Sequence, residues 1–305
     1  MLNEREVESC YLGQFIPVHY HHNMLMDDNR MKNFKAAISH AVRPGAKVLE
    51  LGGGTGVLSW FAAANASKVW CVEYNPDLVK EACRFLALNP HGHKVEVVHA
   101  DAFDYLPPEP VDVVICEMIH VAMLREKQVE VIEAFKQRYL QRFGGPLPLF
   151  IPEAVVMAVQ PLQQDYDFEG YCAPIVQFQQ HTLHPGTVEM ALPSVYSILD
   201  FSQPTDTLIR WEGSFRMEGS GTLNALRFIT KNILTVLMDK STTIDWLNHY
   251  MVLPLGEPLR VKMGDEVRVS LQYRAGNSIA SLQNAMRAQV VGARVDADLP
   301  AYACA

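Results

Sequence analysis

No apolar run in the 305-residue chain approaches the eighteen or so residues that a membrane-spanning helix needs. The longest apolar-rich stretches, such as Val111 to Cys116 and Ala154 to Val159, fall far short, so no membrane partner is expected. The N-terminus M-L-N-E-R-E-V-E carries charge where a signal peptide has its apolar centre, which predicts a cytoplasmic protein. Six cysteines (Cys10, Cys71, Cys83, Cys116, Cys172, Cys304) form no C-x-x-C pair, and several sit inside apolar runs. This excludes the tight spacing of a structural metal site or disulfide framework and predicts reduced, mostly buried thiols with no metal. Positive charge is also scarce: the formal charge is −8 and the pI about 5.8, against nucleic-acid binding and in favour of cationic ligands. Neither internal repeats nor low-complexity segments occur.

With 49% hydrophobic and 20% charged residues, the chain has material for a sizeable core and is long enough for two domains. From Val48 to Glu117, short β-rich runs (V-L-E-L, K-V-W-C-V-E, K-V-E-V-V-H, V-D-V-V-I-C-E) alternate with helical patterns such as Pro76 to Leu88. That alternation predicts an α/β, Rossmann-like domain with a parallel sheet, which binds ligands at the carboxyl ends of its strands. After a helical segment from Gln128 to Leu140, G-G-P-L-P-L-F-I-P marks a break, and the texture becomes β-rich. In V-R-V-S-L-Q-Y-R, Val267, Val269, Leu271 and Tyr273 alternate with polar residues, as in a half-buried strand. M-G-D-E, within Lys262 to Val267, is expected to turn a hairpin. Further β-leaning runs at 154–159, 194–201, 226–237 and 289–295 predict a β-barrel or sandwich from about residue 152. The expected division is an N-terminal helical segment over residues 1–40, a cofactor domain over 41–151 and a substrate domain over 152–305.

Val48 to Ser59, V-L-E-L-G-G-G-T-G-V-L-S, leads from the first strand into a helix. Gly52, Gly54 and Gly56 form G-x-G-x-G, which permits unusual dihedrals and close approach of a ligand to the backbone; Gly53 is read as spacing. The dinucleotide fingerprint fails at Val57 and the phosphate-loop motif is absent, so nothing here needs to cradle a phosphate. Glu50 stands where a carboxylate orders the turn or attracts an amino group. Glu73 ends the second strand, where an acid accepts both ribose hydroxyls, and Asp101, followed by Ala102, follows the third, placed for an adenine amino group. A solvated strand end and a turn cap are the plainer readings of Glu73 and Asp101 taken singly. In order on successive strand ends, they fit a nucleoside bearing an amino acid, S-adenosylmethionine.

Past the fourth strand, C-E-M-I-H-V-A-M-L-R-E places Glu117 and Glu126 nine positions apart. On one helix they would face opposite ways, roughly 13 Å apart, so they serve one site only if the segment folds back. Folded back, two carboxylates hold a planar guanidinium, aim one nitrogen at the methyl group, and one of them takes the proton. The plainer readings are a strand-end acid and a helix-opening acid.

On these residues the chain resembles the protein arginine methyltransferases, through nearly its whole length and most strongly from Phe15 to Pro152. The family's loop, E-W-M-G-Y-x-x-x-x-E, reads E-M-I-H-V-A-M-L-R-E here, and its H-x-x-M-L-x-D-x-x-R helix reads H-H-N-M-L-M-D-D-N-R from His21 to Arg30. The resemblance implies a class I methyltransferase fold followed by a β-barrel. Within it, Arg30 would meet the cofactor carboxylate, and His21 and Met24 would line the cofactor and substrate pocket. The family's T-H-W loop is best matched by I-D-W, with Trp246 either facing the site or in barrel core and Asp245 facing Asp27 in place of a histidine. His120 replaces a glycine and Met118 an aromatic residue, which suggests a divergent member with an altered substrate pocket. Gly170 to Pro193 occupies the position of the family's helical dimerisation arm, so a homodimer is expected through 170–193, although its apolar residues serve equally as barrel core. The implied activity is methylation of arginine in a protein or peptide. Free arginine or another small amine is an alternative acceptor, and a catalytically silent homologue a further one.

Overall fold

A computed structural model describes residues 18–182 and 184–291. Cys10, Cys304, the first part of the 1–40 segment, Leu183 of the 170–193 segment and the end of the 289–295 run lie outside the described residues. Two helices open the described chain, α1 (Val18–Met26) and α2 (Asp28–Ala41), the second capped by Asp27, whose carboxylate accepts the Arg30 backbone N–H at 2.9 Å. Five parallel strands follow: β1 (Lys47–Leu51), β2 (Lys68–Glu73), β3 (Val95–His99), β4 (Val113–Cys116) and β5 (Leu149–Ile151). Between them run helices α3 (Val57–Ala63), α4 (Pro76–Ala87) and α5 (Gln128–Phe143). Strand order is β3-β2-β1-β4-β5, so the sheet reverses its direction of winding between β1 and β4. The loops after these two strands diverge and leave a crevice at the carboxyl edge. The fold is a Rossmann-like parallel sheet with its helices, joined to an antiparallel β region.

That second region contains β6 (Ala154–Gln164), β7 (Asp167–Phe168), β8 (Tyr171–Cys172), β9 (Gln177–Gln179), β10 (Thr187–Glu189), β11 (Ser194–Asp200), β12 (Leu208–Arg216), β13 (Gly221–Leu237), β14 (Thr242–Leu247), β15 (Tyr250–Val261), β16 (Glu266–Arg274) and β17 (Arg287–Val290). A large sheet runs β10-β6-β13-β15-β9, with β11 on β6 and β14 on β13; a second runs β12-β16-β17. In β16, Val267, Val269, Leu271 and Tyr273 are buried, as their alternation predicts. The turn at 262–265 forms, with the Asp265 N–H donating to Lys262 O at 3.0 Å, but it makes no hairpin. Its flanking strands enter different sheets, because Met217 takes both the Asp265 carbonyl and the Gly264 N–H at 2.8 Å.

The described part of 170–193 carries strands and loops rather than a helix, with β9 paired to β15 and β10 to β6. Of the cysteines, Cys71, Cys83 and Cys116 are free, whereas Cys172 is disulfide-bonded, which the expectation of reduced thiols did not anticipate. That expectation rested on close sequence pairing, and a fold can join cysteines without it. One core spans both regions: Leu49, Val114 and Phe135 of the α/β part pack continuously with Met157, Phe228 and Val267 of the β part. The segment from Val121 to Leu124 lies within that shared core. Among the described residues, no helix is long and apolar enough to cross a membrane.

Candidate active site

At the crevice lies a cavity of about 840 Å³. The glycine turn forms one wall. Gly52 and Gly53 both donate to Val72 O, at 3.0 and 2.8 Å, which ties the turn to the neighbouring strand. A Cβ on Gly54 would lie 2.9 Å from His21 and one on Gly52 2.8 Å from Met118, and both glycines have positive φ (54° and 75°). Gly53, read above as spacing, is where the packing is tightest, since a Cβ there would lie 2.2 Å from the Cys71 sulfur. Gly56 does not line the cavity; its φ of 78° turns the chain into α3.

Glu50 sits beneath the turn and accepts the Ser59 backbone N–H at 2.8 Å and the Ser59 hydroxyl, which orders the start of α3. Burial pushes its pKa up to about 8. Glu73 accepts backbone N–H groups from Gly54 at 2.8 Å and Asn75 at 2.7 Å. Asp101 accepts the Phe103 N–H at 2.9 Å through one oxygen. Glu73, Asp101 and Ala102 all line the cavity, so carboxylates meet it from two successive strand ends, β2 and β3. Each carboxylate also orders its own turn and keeps lone pairs for a ligand.

Across the cavity, the segment between the two glutamates does fold back. A short turn at Val121–Met123 contains left-handed backbone at Ala122 (φ 59°) and Met123 (53°), and Arg125 (64°) and Lys127 (58°) continue it beyond. Non-glycine residues adopt this region reluctantly, so four of them in six positions build a sharp reversal no regular element supplies. Both Glu117 and Glu126 line the cavity as a result. Arg30, buried under the rings of Phe34 and Trp246 at 5.4 and 5.9 Å, forms an ion pair with Glu117. Among the described residues Glu126 has no such ion pair; desolvation and the charge of Glu117 push its pKa up to about 7.

His21, Met24 and Trp246 also line the cavity, and the Trp246 indole N–H donates to Asp27 at 3.3 Å. Two expected placements differ. His120 stays out of the cavity wall: its ring meets Phe178 edge-on at 5.9 Å, its Nδ1 lies 2.9 Å from Val121 O, and burial lowers its pKa to about 4. The backbone reversal that begins there carries its side chain away from the acceptor side. Asp245 turns from Asp27, bonding Lys231 at 3.1 Å and the Thr243 hydroxyl at 2.9 Å, because successive strand residues face opposite ways. Sequence reasoning missed Gln180, His181, Thr182 and His249, which line the cavity mouth. His249 follows Trp246 by three residues, so the histidine absent from I-D-W appears slightly later in the chain.

Residues 48–140 match the family model described as a methyltransferase domain. An uncharacterised protein of Methanothermobacter thermautotrophicus is 30% identical over 266 residues, covering 87% of this chain and 96% of its own. Protein arginine N-methyltransferase 6 of Xenopus tropicalis is 29% identical over 150 residues, 48% of this chain and 44% of that protein. The Trypanosoma brucei PRMT1 enzyme–prozyme heterotetrameric complex with AdoHcy superposes with a TM-score of 0.69 at 16% identity, over 90% of this chain and 98% of that one. The chain carries a methyltransferase domain and is similar to the protein arginine methyltransferases in fold and in part of its sequence. A second methyltransferase of that family, Arabidopsis thaliana protein arginine methyltransferase 10 in an open conformation, matches with a TM-score of 0.70 at 18% identity, covering 86% and 89% of the two chains. S-adenosylmethionine is the cofactor, and the activity is methyl transfer. The cavity fits that group: side-chain-free backbone at Gly52 and Gly54 meets two carboxylates suited to hydroxyl and amino donors.

Proposed function

We propose that the enzyme transfers a methyl group to a guanidino nitrogen of arginine in a protein or peptide. The observation that carries this reading is the convergence of Glu117 and Glu126 on the cavity that also holds the glycine turn. When bound, the cofactor supplies an electrophilic methyl group on a sulfonium. Arg30 and the backbone of the Gly52–Gly54 turn would hold its amino-acid end, with His21 alongside; Glu73 would accept the ribose hydroxyls, and Asp101 with Ala102 would receive the adenine. Glu117 and Glu126 orient the acceptor guanidinium and draw its charge away from the attacking nitrogen. Met24 and Trp246 supply apolar walls that exclude water. Glu126, its pKa raised towards neutrality, is the group suited to take the proton as the new bond forms.

A free guanidino or amino compound is the second acceptor reading. The polar mouth formed by Gln180, His181, Thr182 and His249 supports it, as those groups can meet the amino and carboxylate groups of a small amino acid. Competition between free arginine and arginine-rich peptides for labelled methyl transfer tests the two; rejection of every peptide would overturn the first reading. The exposed side chains of Tyr171, Ile175, Phe178 and Leu192 support a homodimer contact at 170–193.

The raised Glu126 value fixes a pH profile. Below about 7 the acid carries a proton and offers no charge to a guanidinium, so kcat/KM for the peptide should rise with pH through about 7 and then level off. Because the folded value lies above the ordinary 4.5, the folded state holds the extra proton between those two pH values. Stability therefore falls as pH rises through that window. A profile with no inflection near 7, or one unchanged in Glu126→Gln, would remove Glu126 from the proton-bearing role.

A further inference from the structure

Ala122 lies at the apex of the reversal between the two glutamates, fully buried at φ 59° and ψ 20°. Both of its backbone polar groups are taken by the β region. Its N–H donates to the Thr230 hydroxyl at 2.8 Å, and its carbonyl accepts the Tyr273 O–H at 2.9 Å. Thr230 is fully buried on β13 and Tyr273 almost fully buried on β16, so one alanine is gripped from the two larger sheets of the β region. Tyr273 is held in turn by the Tyr196 hydroxyl at 2.9 Å, and burial raises both phenol pKa values, keeping the Tyr273 O–H as a donor. Two backbone bonds continue the grip: Gly276 N–H to Met123 O at 2.8 Å and Arg125 N–H to Asn277 O at 2.9 Å.

A buried peptide with unfilled hydrogen-bonding groups is strongly disfavoured, and left-handed alanine is uncommon. Thr230 and Tyr273 make the one conformation that fills both groups coincide with the left-handed one. We propose that Thr230 and Tyr273 are positioning residues for methyl transfer, holding Ala122 in its left-handed turn so that Glu126 returns to the cavity beside Glu117. This rests on the reading that the two glutamates act together on the acceptor. Neither positioning side chain lines the cavity, so each acts through the loop and not on a ligand.

The test compares Tyr273→Phe and Thr230→Val with the hydroxyl-preserving Thr230→Ser, and adds Ala122→Gly to Tyr273→Phe. Three readouts are taken: calorimetric binding of S-adenosylhomocysteine, hydrogen exchange of residues 117–127 against that of β1, and kcat and KM for methyl transfer. Tyr273→Phe and Thr230→Val should lower kcat at least tenfold and speed exchange at 117–127 about tenfold, leaving β1 exchange and S-adenosylhomocysteine affinity within twofold. Thr230→Ser should stay near wild type. Glycine accepts positive φ without penalty, so Ala122→Gly should restore most of the rate lost in Tyr273→Phe. Unchanged exchange and kcat would overturn the proposal. So would losses that speed exchange equally in β1 and resist rescue by glycine. If the wild type methylates no arginine substrate while the exchange pattern appears as expected, the acceptor reading fails and the positioning role stands.

Discussion

Glu117→Gln and Glu126→Gln should each lower methyl transfer to arginine peptides by at least a hundredfold, while their effects on stability differ. Glutamine preserves shape and one acceptor oxygen but removes the charge that holds and polarises a guanidinium. Losing one preorganised electrostatic group of this kind costs about 3 kcal/mol in the transition state. For stability, the two carboxylates sit in unlike surroundings. Glu117 compensates the Arg30 guanidinium, whose side chain is only 7% exposed, so removing its charge leaves a buried cation unpaired at a cost of about 3 kcal/mol. Glu126 is an acid whose ionisation is opposed by desolvation and by Glu117, so its glutamine variant should match or exceed wild-type stability above pH 7. Denaturant unfolding at pH 8 measures that contrast alongside the methyl-transfer rate. Undiminished transfer in both variants would sink the proposed mechanism, and equal destabilisation would show that Glu126 too is held by a cation.

The parallel sheet was legible because its strands and helices each obey their own period. The V-L-E-L and K-V-W-C-V-E runs fall on β1 and β2, and the apolar repeat after Pro76 on α4. The need for a fold-back between Glu117 and Glu126 was legible from spacing alone. Its means was not, because Ala122, Met123, Arg125 and Lys127 carry no local preference for left-handed backbone. Ala122 is instead bonded by Thr230 and Tyr273, 108 and 151 positions further along the chain, and Met123 and Arg125 by Gly276 and Asn277, separations no local pattern reports. The same limit accounts for His120. As a substituted residue inside the glutamate loop it reads as an acceptor contact, and only the direction of the reversal sends it to Phe178. The turn at 262–265 was visible as a turn, whereas the choice between hairpin and sheet-to-sheet corner depends on Met217 far upstream.

Gly53 gives the second large effect. Between two glycines whose positive φ accounts for them, it looked like filler, yet its φ is ordinary and its constraint purely steric. The first atom of any side chain there would lie 2.2 Å from the sulfur of Cys71, a fully buried residue on β2. Backbone cannot yield easily, because Gly53 N–H is bonded to Val72 O at 2.8 Å. Gly53→Ala should therefore destabilise the protein by about 3 kcal/mol, the upper end of overpacking costs, and weaken S-adenosylhomocysteine binding at least tenfold by displacing the turn. Cys71→Ala removes the sulfur and alone should cost about 1 kcal/mol for the lost contact. Other atoms near the added Cβ, Val72 O at 3.5 Å and the Cys71 Cβ at 3.7 Å, are at ordinary contact distance. The double variant should thus be more stable than Gly53→Ala and recover cofactor affinity to within about threefold of wild type, a favourable coupling expected only between residues in direct contact. Thermal unfolding and calorimetry on the four proteins measure it, and simple additivity would show that Gly53 is required for some reason other than the Cys71 sulfur.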